Sequence, residues 1–252
     1  LFEQLVLDPP GNVDVLLMEG TTVGRTDTKT GFPTETDLEN RFVEIFRATK
    51  GMPLVWCSGQ NIDRLVTVFR ACKKSGRQFI VDMYTAHILR ATGNDHIPQA
   101  HWKEIRVFLP YFQRKRVKRL GVFNVSNSYK KWRIYREELA EAAPRSVMLF
   151  RPSMTVDVDR AECLEGAHLV YSMWGGYLAN DEMQPFLTWL DRKGIPMSRV
   201  HTSGHASVKD LKRLADSISA RTVIPIHSAL PEQFENFFVN VELRADGQTF
   251  EV

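Results

Sequence analysis

Short apolar runs alternate with amphipathic stretches along most of the chain. Residues 13–18 (VDVLLM) follow the turn-forming Pro9-Pro10-Gly11 and read as a fully buried strand. Residues 22–35 are polar and loop-like. Thr36-Asp37-Leu38-Glu39 has capping-box spacing, and Leu38, Phe42, Ile45 and Phe46 then predict a helix that ends near Gly51. Next come a strand over 53–57, a Ser58-Gly59 turn, a helix with Ile62, Leu65, Val66, Phe69 and Cys72 on one face, and a strand over 78–81. Residues 84–143 show no clear period. From Ser146 the rhythm returns, with strands over 147–150 and 169–173 and a helix through Met183, Phe186, Leu187 and Leu190 closed by Gly194. A strand ending in His201 follows. Ser207 with Asp210 starts a helix bearing Val208, Leu211, Leu214, Ala215 and Ile218, and a last strand delivers His227. Residues 237–243 and 248–252 around Asp246-Gly247 predict a terminal hairpin. Strands alternating with helices imply parallel strands with crossover connections, an α/β fold.

With 252 residues, 43% of them hydrophobic, the chain can bury a sizeable core as one large or two interleaved domains. No run of about 18 apolar residues and no signal peptide occurs, which predicts a non-membrane, cytoplasmic protein. Cys57, Cys72 and Cys163 lack CxxC spacing, and an odd number argues against a disulfide framework.

Charge is segregated. Between His101 and Arg136 eleven Lys/Arg face one acid, Glu104, so that window carries +10 of a net +3 and the remainder sums to −7. Aromatic residues are interleaved with it (Phe108, Tyr111, Phe112, Phe123, Tyr129, Trp132, Tyr135), the composition of a single-stranded nucleic-acid path. A solvated helix face over an ordinary aromatic core would look similar, and Tyr129, Trp132 and Tyr135 at spacing three have the look of a buried helix stripe.

Three of the seven histidines fall within 27 residues: His201 and His227 at strand ends, and His205 in a Thr202-Ser203-Gly204 loop before a helix. Backbone N–H groups at a helix start, with a glycine allowing close approach, suit an anion, and nearby imidazoles suit metal or acid/base chemistry on it. Glu19, at the end of a buried strand, is placed to orient a histidine, although from residues alone it could equally cap a helix or face water. The Ser58-Gly59-Gln60-Asn61 turn sits where open α/β sheets bind ligands, or simply starts a helix.

Ser203-Gly204-His205-Ala206 followed by Val223-Ile224-Pro225-Ile226-His227, with Asp14-Val15-Leu16-Leu17-Met18-Glu19-Gly20-Thr21 near the start, resembles the β-CASP branch of the metallo-β-lactamase fold, most closely its ribonuclease J-like group. The motifs stand in the family's order and enclose nearly the whole chain. The resemblance implies an α/β architecture in which a partial metallo-β-lactamase-like lobe (residues 1–24 and 196–252) carries an inserted β-CASP lobe (25–195) of parallel sheet flanked by helices. It implies a zinc-dependent hydrolase of RNA phosphodiester bonds, with two ions in the complete protein. His227 would be a metal ligand, His205 the acid at the scissile phosphate and Glu19 its orienting carboxylate. His201, Thr202, Ser203, Gly204, Ser172, Gly175 and Gly176 would contact substrate. Trp174 departs from the small residues expected beside these glycines and would stack on a base or fill a pocket. His227-Ser228-Ala229 departs from the family's His-Gly/Thr-Glu.

No HxHxDH cluster occurs, and His87, His96 and His101 show neither HxH nor HExxH spacing. The chain, which opens on Leu1, is therefore expected to be the C-terminal part of a longer protein, inactive without an N-terminal HxHxDH half, or a protein that has lost its metals. The alternatives are a metal-free nucleic-acid-binding or assembly module of the same fold, and a hydrolase of small phosphodiesters or esters. RNA or another single-stranded nucleic acid is the expected partner, and a homodimer is compatible with the sequence.

Overall fold

The computed structural model of the protein describes residues 1–24 and 32–251; residues 25–31, which fall in the polar stretch read as a loop, and residue 252 lie outside the described residues. The chain forms two compact units, Leu1–Phe32 with Ser203–Val252, and Pro33–Thr202. In chain order the strands are β1 (Val15–Glu19), β2 (Pro53–Trp56), β3 (Gln78–Asp82), β4 (Ile105–Phe108), β5 (Arg133–Ile134), β6 (Ser146–Leu149), β7 (His168–Tyr171), β8 (Met197–Arg199) and β9 (Thr222–Ile226).

The Pro33–Thr202 unit is a seven-stranded sheet of order β5-β4-β3-β6-β2-β7-β8 in which every pairing is parallel. Alternate strand residues serve opposite faces, so both faces are apolar and the strands read as continuous hydrophobic runs. Val55, Phe79, Val81, Val107, Val147 and Leu149 pack with Phe42, Phe46, Leu65 and Phe69 from the helices Glu35–Ala48 and Ile62–Lys74. Leu54, Ile80, Phe108, Met148 and Leu169 pack on the other face with Val158, Phe186, Trp189 and Leu190. From the neighbours β2 and β6 the chain proceeds in opposite directions across the sheet, to β3 and to β7. This makes their carboxyl ends the switch point at which open parallel sheets leave a crevice.

In the other unit β1 and β9 pair in parallel, Val15 opposite Thr222 through Glu19 opposite Ile226. Met18, Val223 and Phe234 form a small core with Val208 and Leu211 of the helix Val208–Ile218, whose Ser207 cap accepts from Asp210 N at 3.2 Å as the sequence predicts. No described helix is long and apolar enough to cross a membrane.

Several expectations need correction. β1 is not fully buried: Leu17 is 54% exposed, and β9 is the only described strand paired with it. The cap of the first long helix is Thr34 with Asp37 rather than Thr36 with Glu39. The Tyr129/Trp132/Tyr135 stripe is not a helix face: Tyr129 is buried before a short 3-10 turn, and Tyr135 is exposed beyond β5. Met197–Arg199 pairs with β7 in the seven-stranded sheet, so the second unit boundary falls after Thr202 rather than after residue 195. The terminal hairpin does not form among the described residues. Instead Val223 N donates to Asn240 O and Glu242 N donates to Val223 O, laying that segment along β9.

Arg64, 2% exposed, ties three elements of the large unit together. Its guanidinium donates to both Glu35 carboxylate oxygens (2.9–3.2 Å) at the start of the helix Glu35–Ala48 and to Ser172 Oγ (2.5 Å) after β7, and Thr67 Oγ1 also donates to Glu35 (2.6 Å). Burial works against the Glu35 charge, but the hydrogen bonds from Arg64 and Thr67 outweigh it and hold the carboxyl below its ordinary value.

Phe46→Ala, at a fully buried position, should cost about 3–5 kcal/mol of stability in urea unfolding, through lost burial and a cavity. Glu35→Gln should destabilise the protein at neutral pH. Because the folded pKa of Glu35 is depressed, its contribution is fully present above the unfolded value of about 4.3 and fades as pH falls through the lower folded value, so the two proteins should converge in acid. A gap in unfolding midpoint that stayed constant down to acid pH would contradict this.

Candidate functional site

The parallel register of β1 and β9 brings Glu19 and Ile226 level, and Gly20 N donates to Ile226 O at 3.0 Å, so both strands release their next residues at one place. Gly20 is required there: a Cβ would collide with the Phe234 ring. The Glu19 carboxylate accepts from Thr21 N at Oε2 (3.0 Å) and from Ala206 N at Oε1 (3.1 Å), and His205 Nδ1 lies 3.3 Å from Oε2. Burial opposes the Glu19 charge, but hydrogen bonds from Thr21 and Ala206, with His205 beside it, hold its carboxyl below the ordinary range. Thr22 Oγ1 donates to Ala206 O (2.8 Å), and Ser203 Oγ accepts from His205 N (3.0 Å), which fixes the loop that carries His205.

His227 has a left-handed backbone, φ +50°. Thr21 Oγ1 lies 3.0 Å from its Nδ1 and donates to its carbonyl at 3.3 Å. The two imidazole rings are 5.7 Å apart. Glu19, His205 and His227 each offer a ligand atom within 4.8 Å of the others.

The other expected contacts divide between the units. Gly204, beside Ser203 in the loop, borders open space: a Cβ there would meet nothing within 4 Å. Thr202 belongs to the large unit, where its hydroxyl donates to Pro33 O (2.6 Å). His201 is half-buried there. Burial, then the Arg64 guanidinium, depress its pKa, and its Nδ1 has no hydrogen-bond partner among the described residues. Ser172 differs from its expected role: it is buried, accepts from Arg64 and donates to Val200 O (2.5 Å), so its hydroxyl is used within the fold. Gly175 lies under the Arg199 guanidinium and Gly176 under the Trp174 ring, so these glycines make room for side chains of the same unit. Trp174 is 61% exposed and stands edge-on to Tyr177.

Sequence reasoning missed a polar cluster at the switch point. Asp82, fully buried at the end of β3, pairs with Arg151 after β6, and Arg151 also donates to Thr85 (3.1 Å). Gly59 lies against that guanidinium with no room for a Cβ. An aspartate closing an apolar strand was the available signal. Much of the basic window is displayed: the helix Tyr111–Leu120 buries only Val117 and carries exposed Lys115, Arg116, Lys118 and Arg119 beside exposed Tyr111 and Phe112.

No protein-family model matches the chain, and no curated protein matches it. Among solved structures it is similar to a protein of unknown function from Enterococcus faecalis V583, at 18% identity and a TM-score of 0.71. That similarity covers 98% of this chain and 53% of the other, so the chain spans about half the length of its structural relative.

Proposed function

We propose that this chain is the C-terminal part of a β-CASP metallo-β-lactamase-fold hydrolase that cleaves RNA phosphodiester bonds with zinc. The observation that carries the reading is the convergence of Glu19, His205 and His227, from segments some 200 residues apart, around strand ends and an open small-residue loop. The exposure of Leu17 (54%) and Ile226 (44%) on this sheet adds support: an isolated two-stranded sheet is marginal in water, and further strands from an N-terminal half would complete it.

The donor set fits zinc. His227 would be a ligand through a ring nitrogen, with the Thr21 hydroxyl against Nδ1 orienting the ring, and the remaining ligands would come from the HxHxDH half. The metals, when bound, supply an activated water and neutralise phosphate charge. His205, as the imidazolium with its Nδ1–H directed at Glu19, would give its Nε2 proton to the leaving oxygen and be left as the neutral Nδ1–H ring that Glu19 holds in place. Ser203 and Gly204 leave the loop open to a phosphate, and the basic helix Tyr111–Leu120 supplies sequence-independent attraction for the strand.

Zinc content and ribonuclease activity should be measured on this chain and on a longer chain carrying the HxHxDH half. Zinc and cleavage are expected only in the longer protein; their absence from both would favour the metal-free binding module. In the longer protein His205→Ala should lower kcat by about 10²–10⁴ while RNA affinity stays nearly unchanged, and unaltered turnover would remove His205 from the chemistry.

A further inference from the structure

We infer that the Pro33–Thr202 unit carries a nucleotide-binding pocket at the edge of its sheet where the strands begin, with Arg90 holding a phosphate and Trp132, braced edge-on by His101, walling the base. Residues 92–104 lead into β4 and close on the starting end of β3, where Phe79 N donates to Glu104 O (2.8 Å). Tyr129–Trp132 leads into β5 at the same end. Between these segments lies a cavity of about 400 Å³, lined by Arg90, Asn94, Asp95, His101, Tyr129 and Trp132, a size suited to one nucleotide.

The pocket is built. Gln99, nearly fully buried, donates through Nε2 to Leu89 O (3.0 Å) and Asn94 O (3.2 Å), pinning the loop to the end of the helix Met83–Ala91. Among the described residues Arg90 has no carboxylate partner: its guanidinium donates to Ser128 Oγ (3.1 Å) and His87 Nδ1 (2.9 Å) and lies 4.9 Å from the centre of the Tyr129 ring. A positive charge held by a hydroxyl, an imidazole and a π face keeps its field for a ligand, and its fork suits phosphate oxygens. Trp132, edge-on to His101 at 6.5 Å, gives a flat apolar wall for a base. Asp95 can accept from ribose hydroxyls. Lys130 and Lys131, exposed in the adjoining turn, extend the positive charge outward. This pocket does not depend on the chemistry proposed at Glu19, His205 and His227, and its failure would leave that reading untouched.

A nucleotide could arrive free or as one unit of a strand. Calorimetric titration of the protein with adenosine 5′-monophosphate and, separately, with a ten-nucleotide oligoadenylate bearing a 5′-hydroxyl distinguishes the two. Binding of the mononucleotide that Arg90→Met weakens at least fivefold identifies a free-nucleotide pocket; the same loss seen only with the oligonucleotide identifies a stop on a strand path. Trp132→Leu, compared at matched thermal stability, should weaken the same ligand, and Arg90→Met, at an exposed position, stands alone if that variant does not fold. Neither ligand binding, or less than a fivefold change in Arg90→Met for both, overturns the inference.

Discussion

The pairing of β1 with β9 is the constraint on which the smaller unit depends. It joins segments about 200 residues apart, so its closure entropy must be offset by more than a few sheet hydrogen bonds. The rest comes from what the register places at the strand ends. Glu19 accepts backbone N–H groups from both sides of the junction, Thr21 after its own strand and Ala206 before the helix Val208–Ile218. Slipping the register by one residue would turn Glu19 to the opposite face of the sheet, leave those N–H groups without their acceptor, and separate His205 from its carboxylate. One charged side chain therefore joins the fold of this unit to the geometry of its imidazole pair.

The larger unit is organised by the two-sided burial of its sheet. Parallel strands need crossovers, and crossovers cover both faces, so the polar groups that remain accumulate at the strand ends. At the carboxyl ends Arg64–Glu35 and Arg151–Asp82 are paired inside the fold, and Ser172 is consumed by the first of them. At the opposite end Arg90 is held by neutral groups and lines a cavity. What sets Arg90 apart from Arg77, which carbonyls hold at the same end, is that it lines a cavity beside a Trp and a His ring.

Hydrophobic period carried most of the α/β architecture, because strands buried on both faces and amphipathic helices leave unambiguous runs. It failed where the structure is short or local. β4 is interrupted by Arg106 and β5 spans two residues, too little pattern to rise above the surrounding basic stretch. The capping box was displaced by two residues because Thr34-x-x-Asp37 and Thr36-x-x-Glu39 satisfy the same template, and only the geometry selects between them. The resemblance placed Glu19 beside His205, where it lies, whereas residue type alone left it as able to cap a helix or face water. It misassigned Ser172, because a sequence does not reveal that a buried arginine lies within reach of the hydroxyl.

His227 offers the clearest link between backbone and chemistry. A residue with a Cβ at φ +50° gives up about 1–2 kcal/mol that glycine would not. No core packing compensates, for the side chain is exposed. What the conformation secures is the approach to Thr21, whose hydroxyl lies against both the His227 carbonyl and Nδ1, with a ring nitrogen of His227 within 4.8 Å of ligand atoms of Glu19 and His205. Glycine would relieve the strain and lose the imidazole, whereas histidine in a relaxed conformation would lose the Thr21 contact. Strain retained at an exposed position, beside a second imidazole and a charged carboxylate, is what a side chain kept for its nitrogen rather than for stability would produce.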